Sequence, residues 1–208
     1  MSAGIPIQSY ATSENNRAML SKTDWLDLAI VAELTDELTL REEIKPLLWK
    51  AVEIAPHFRI KAALILIGSG LTEIGMNFLK TGVDRVFIYD YPEFAKQSAD
   101  IFTSAIGHYI EEYKPSVMLF PPTEFGQLLA AAVSRRLNLP PAFSCSDFQL
   151  QPNKDLILPE ITDVSALQRI TGSRPQLIIF NSSKIQPLSS PEEKPGELIL
   201  CELPDDLR

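Results

Sequence analysis

The chain is poor in the residues that most directly announce chemistry. It has two cysteines, Cys145 and Cys201, far apart and in no CxxC pair. A disulfide framework or a thiolate metal site is therefore not indicated, and a reduced, cytoplasmic setting is the simplest reading. It has two histidines, His57 and His108, neither near another metal ligand in sequence, which argues against zinc. Basic residues are outnumbered, 19 Lys and Arg against 27 Asp and Glu, for a formal charge of −8. With no concentrated basic patch, a nucleic-acid role is not expected. No apolar run approaches the roughly 20 residues of a membrane span, and the first 24 residues contain no apolar signal-peptide core. These residues, 1–24, read as a flexible arm ahead of one domain at 25–208. GxSxG, Gly-Lys phosphate-loop and complete GxGxxG motifs are all missing.

What is present is a rhythm of apolar runs and amphipathic segments. Hydrophobic residues make up 45% of the chain, enough for a sizeable core. Residues 25–34, 60–67, 83–89 and 116–120 read as strands. Between and after them, residues 40–55, 71–80, 94–113 and 125–137 carry apolar positions at helical spacing. Pro46 places the start of the first helix close to itself. The near-continuous apolar run at 60–67 marks a central parallel strand covered on both faces. After Pro140-Pro141 the pattern changes: 143–150, 155–161, 165–171, 176–181 and 197–203 read as β, with a hairpin turn at 151–155 and a loop at 182–196. The expectation is an α/β, Rossmann-like three-layer fold, with a mainly parallel sheet extended by antiparallel strands near the C-terminus.

In such a sheet, ligands and partners meet the loops at the carboxyl ends of the strands. Three loops supply candidates. Glu33 closes the first strand. Gly68 and Ser69 open a Gly-Ser-Gly turn whose amides have two readings, a phosphate cradle or a tight βα turn. Glu73 occupies the place of the last glycine of the dinucleotide fingerprint and adds negative charge there. Thr123, Phe125 and Gly126 start the fourth helix. Thr123 suits an N-cap and Glu124 the positive helix end. Gly126 permits close approach by a cofactor, a partner or a neighbouring helix. Ser144-Cys145-Ser146-Asp147 collects nucleophile-type side chains but has no base in context, and reads as a strand face. No catalytic set stands out, so no enzyme activity is expected.

Four stretches taken in order carry a resemblance. These are Ile30-Val31-Ala32-Glu33; Gly82-Val83-Asp84-Arg85-Val86 with Asp90; Pro122-Thr123-Glu124-Phe125-Gly126; and Arg174-Pro175-Gln176. Together they resemble the N-terminal domain of the electron transfer flavoprotein α subunit, the FixB-like family, from about residue 25 to 203. Two of that family's features differ here. Its Pro-Arg in the fourth helix is Ala131-Ala132, and its Arg-Pro followed by Gly-Gly-Asn is replaced around Leu158-Pro159.

The resemblance implies a scaffold domain for flavin-dependent electron transfer, paired with a β-like subunit or with a separate chain bearing the FAD domain. The family's flavin domain would begin near Arg208, so the expectation is no FAD tightly bound by this chain alone, with FAD or AMP held within a complex. A homodimer is the expected substitute when the partner is absent. The alternative is a free-standing adenine-nucleotide-binding module using the crevice near Glu33, Gly68 and Thr123.

Overall fold

The computed structural model describes residues 27–140, 142–150, 156–157, 165, 168–169, 173–181 and 195–204. The expected arm at 1–24, the hairpin turn at 151–155 and most of the 182–196 loop lie outside the described residues.

The alternating units are β1 (Asp27–Val31), α1 (Ile44–Ile54), β2 (Lys61–Gly68), α2 (Gly75–Leu79), β3 (Arg85–Asp90), α3 (Ala99–Tyr113), β4 (Val117–Phe120) and α4 (Glu124–Arg136). They are followed by β5 (Phe143–Cys145), β6 (Gln149–Leu150), β7 (Leu156–Ile157), β8 (Gln176–Phe180) and β9 (Glu197–Leu200). Seven strands form one sheet in the order β5-β8-β4-β1-β2-β3-β9. Every neighbouring pair in it is parallel.

The period-2 alternation of a strand explains why the central runs are apolar throughout. Leu28, Ile30, Leu64, Leu66, Val86, Ile88 and Leu119 face one layer, where Leu47, Leu48 and Ala51 of α1 and Phe78 of α2 cover them. Ala29, Val31, Ala63, Ile65, Phe87, Tyr89, Met118 and Phe120 face the other. There Phe102, Ile106, Tyr109 and Tyr113 of α3 meet Leu129 and Val133 of α4. The structure is thus the three-layer α/β fold that the sequence predicts, with β2 in the sheet interior.

Several boundaries differ for local reasons. α1 begins at Ile44 because Leu40 pairs with Leu34 in an antiparallel bridge and Arg41 N donates to Glu33 O. Pro46 therefore sits in the first turn, where its missing N–H costs nothing. The helix expected at 94–113 is divided. Residues Pro92–Ala95 form a 3₁₀ turn, Lys96 and Ser98 are extended, and α3 starts at Ala99. Phe94 and Phe102 both reach the core, so apolar spacing alone did not reveal the break.

The sheet is extended after Pro141 in parallel, by β5, β8 and β9. Among the described residues, the antiparallel addition is the short β6/β7 pair, in a sheet of its own. Long connections return the chain in the same direction, whereas a short turn reverses it. At 165–171 the strand reading fails where it is described: Ser165, Gln168 and Arg169 are helical. Gln168 and Arg169 are good helix formers.

Candidate functional site

From β1 the chain winds outward through β2 and β3, then crosses back to place β4 on the other side of β1. The loops after β1 and β4 consequently diverge, and the crevice between them is the switch point of the sheet. Glu33 follows β1 and Thr123 follows β4, so two candidates separated by 90 residues meet there. The Thr123 hydroxyl donates to Glu33 Oε2 at 2.5 Å and accepts from Gly126 N at 3.0 Å. Thr123 is thus both the N-cap of α4 and a bolt between the two loops. Glu33 is 5% exposed, and its other oxygen receives Arg41 Nε at 2.9 Å. A buried carboxylate with both oxygens engaged ties the two loops together.

Gly126 is explained by its own loop. A Cβ built there would lie 2.3 Å from Pro121 O and 2.7 Å from Pro121 Cγ. Phe125 packs edge-on against Phe102, with ring centroids 5.4 Å apart. Phe102 in turn meets Phe94, and Phe94 meets Tyr91. The Tyr91 hydroxyl donates to Cys201 O at 3.2 Å and accepts from Leu203 N at 2.8 Å. This aromatic file ties the start of α4 to the segment after β9.

At the end of β2, Gly68 and Ser69 lead into Gly70, whose φ of +76° is the left-handed turn a glycine provides. The amides that a phosphate would seek are turned onto Asp90. Its Oδ1 accepts from Gly70 N at 2.7 Å; its Oδ2 accepts from Leu71 N at 3.0 Å, Thr72 N at 2.8 Å and Thr72 Oγ1 at 2.6 Å. Partial burial pushes the Asp90 carboxyl up, but the hydrogen bonds from Thr72, Gly70 and Leu71 prevail and hold it below the usual value. α2 begins later than the apolar spacing predicts, at Gly75. An internal carboxylate already occupies the anion position, and the Glu33 carboxylate stands in the neighbouring loop. The residues present do not fit a dinucleotide phosphate at this turn.

Sequence reasoning named Glu33, Thr123, Phe125 and Gly126, which the fold gathers at one crevice, and Gly68 and Ser69 on the adjoining loop. It missed the role of Asp90 in the βα turn. It also missed an ion network with a buried carboxylate at the opposite end of the sheet. Asp27, 1% exposed, pairs with Arg85 Nη1 at 3.2 Å, and Arg85 Nε reaches Glu197 at 3.1 Å. Burial pushes the Asp27 carboxyl up to about 6, against the pull of Arg85. The readable signal was a lone charge inside an apolar strand run.

The remaining suspects are structural. Cys145 and Cys201 are both buried and in no disulfide, and burial pushes the Cys201 thiol up to about 12, leaving it inert. His108 Nδ1 lies 3.0 Å from the Tyr89 hydroxyl. Among the described residues, no group of three or more His, Cys, Asp or Glu is placed to hold a metal. Among the same residues, no helix is long and apolar enough to cross a membrane.

The electron transfer flavoprotein domain model matches residues 29–206, nearly the whole chain. This chain belongs to that family. Among electron transfer flavoprotein relatives, it is 25% identical over 130 residues to the electron transfer flavoprotein subunit alpha of Thermoanaerobacterium thermosaccharolyticum, covering 62% of this chain and 39% of that one. It is 32% identical over 111 residues to subunit LctC of the lactate dehydrogenase (NAD(+),ferredoxin) of Acetobacterium woodii, covering 53% and 27%. The acryloyl-CoA reductase electron transfer subunit beta of Anaerotignum propionicum is 28% identical over 90 residues, covering 43% and 24%. The matched stretches span well under half of these curated relatives.

Proposed function

We propose that this chain is a partner domain in flavin-dependent electron transfer. It binds a β-like subunit, or a separate chain carrying a FAD domain, and contributes orientation rather than redox chemistry. The observation that carries this reading is the Gly70–Thr72 amide set closed on Asp90, within a chain of the electron transfer flavoprotein family. A flavin supplies the electron chemistry when it is bound in the complex; the protein supplies placement and electrostatics. The crevice residues Glu33, Thr123, Phe125 and Gly126, with Gly68 and Ser69 beside them, form the rigid end of the sheet that meets the partner. The internally satisfied Glu33 and Thr123 favour a preformed docking edge over a catalytic one. Two buried thiols in no disulfide favour a cytoplasmic location.

The test is purification of the full chain alone and with a β-like subunit, followed by desalting and an absorbance spectrum. The chain alone should lack the flavin band and retain no AMP, and it should co-elute with the subunit. Stoichiometric flavin on the chain alone, or failure to bind any β-like subunit, overturns the proposal.

A further inference from the structure

One face of α4 is not absorbed by the core or the crevice. Glu124, Gln127, Leu128, Ala131 and Arg135 are exposed along it. At 100° per residue, Glu124, Leu128, Ala131 and Arg135 fall within one narrow stripe. Leu128 is 59% exposed, one of two strongly exposed large apolar side chains among the described residues, with Met76. The stripe has an internal symmetry. Glu124 lies as far before its midpoint as Arg135 lies after it, and Leu128 and Ala131 flank that midpoint. Laid antiparallel on a copy of itself, the stripe sets each Glu124 against an Arg135 and each Leu128 against an Ala131. Toward α3, the Arg135 end of the stripe borders a polar surface cavity of about 300 Å³ lined by Asp100, Thr103, Ala132, Arg135 and Arg136.

We propose that α4 is a homodimer interface, two copies packing antiparallel about a two-fold axis with Leu128 of each copy seated over Ala131 of the other. Self-complementarity is what an isologous contact requires. An apolar centre with opposite charges at its two ends supplies both attraction and register. The 13-residue helix is about 20 Å long, so the adjoining α3 surface around exposed Asp100 must be covered too for the interface to reach roughly 1,000 Å².

Sedimentation of the full chain across micromolar concentrations tests this without flavin or a β-like subunit, so its outcome is separate from that of the proposed role. The native chain should show a concentration-dependent dimer. Leu128→Asp should raise the dissociation constant by tenfold or more, as should Glu124→Arg or Arg135→Glu alone. The double variant Glu124→Arg/Arg135→Glu restores opposite charges across the two-fold and should dimerise again. Circular dichroism and melts at low concentration confirm that each variant folds. A native chain that stays monomeric overturns the proposal, as does a dimer indifferent to Leu128→Asp or a double variant no better than the singles.

Discussion

Replacing Gly126 by alanine sets two effects against each other. In a helix, Gly→Ala gains about 1 kcal/mol. Here the added methyl would lie 2.3 Å from Pro121 O and 2.7 Å from Pro121 Cγ. Neither atom is the far end of a flexible side chain, so the first turn of α4 must move. Overpacking of this kind costs about 1–3 kcal/mol. The movement also strains the cap from Thr123 to Gly126 N, worth about 1 kcal/mol, and the bond from Thr123 to buried Glu33. The losses outweigh the propensity gain, giving a net destabilisation of about 2–3 kcal/mol. At about 2–4 °C per kcal/mol for a domain of this size, Tm falls by roughly 5–10 °C. The assay is a thermal melt by circular dichroism at dilute concentration, with Thr123→Ala and the double variant alongside. If the mechanism is shared, the double variant costs less than the sum of the singles. A Gly126→Ala protein that melts at or above the native temperature would refute the close-packing argument.

Thr123→Ala alone should lower stability by about 1–2 kcal/mol through the lost cap, read by chemical denaturation. Asp90→Asn should cost about 1–2 kcal/mol and increase hydrogen exchange at Gly70, Leu71 and Thr72, whose amides the carboxylate holds. Because the native Asp90 carboxyl sits below its ordinary value, its contribution is present near neutrality and is lost as the pH falls into the acid range; the variant should lack that loss. Asp27 has the opposite sign. Its carboxyl is raised from 3.8 to about 6, so the folded state holds the proton more tightly, and stability should fall by about 3 kcal/mol as pH rises from 3.8 through 6. Asp27→Asn should flatten that slope, and an unchanged pH profile would show that Arg85 neutralises the charge fully.

The layers were legible because each strand of a doubly covered sheet is apolar on both sides and each helix on one. Residues 60–67 and 117–120 carried that signal without ambiguity. The crevice was legible as loops, since Glu33 and Thr123 each stand just past an apolar run. Their direct bond was not, because it depends on β4 lying beside β1 rather than beside β3. The order of strands is decided by long connections that leave little local trace. For the same reason, β8 and β9 read as strands while their parallel pairing did not. Asp90 entered the sequence reading only with the third-strand resemblance. Only the fold shows it turned back across 18 to 20 residues to fill the glycine turn.

The outer strands carry a consequence for synthesis. β9 pairs with β3, and the bond from Arg85 to Glu197 spans 112 positions. Among the described residues, β5 pairs in the sheet with β8 alone, although β8 is made later. A ribosome adding about 5–20 residues per second leaves the outer edge of β3 bare for roughly 5–20 s. Through that interval the nascent sheet offers open backbone donors and acceptors to any extended chain nearby. Crowding by other nascent chains, or a slow stretch of translation before β9, would therefore lower the yield of folded protein without touching the stability of the finished one.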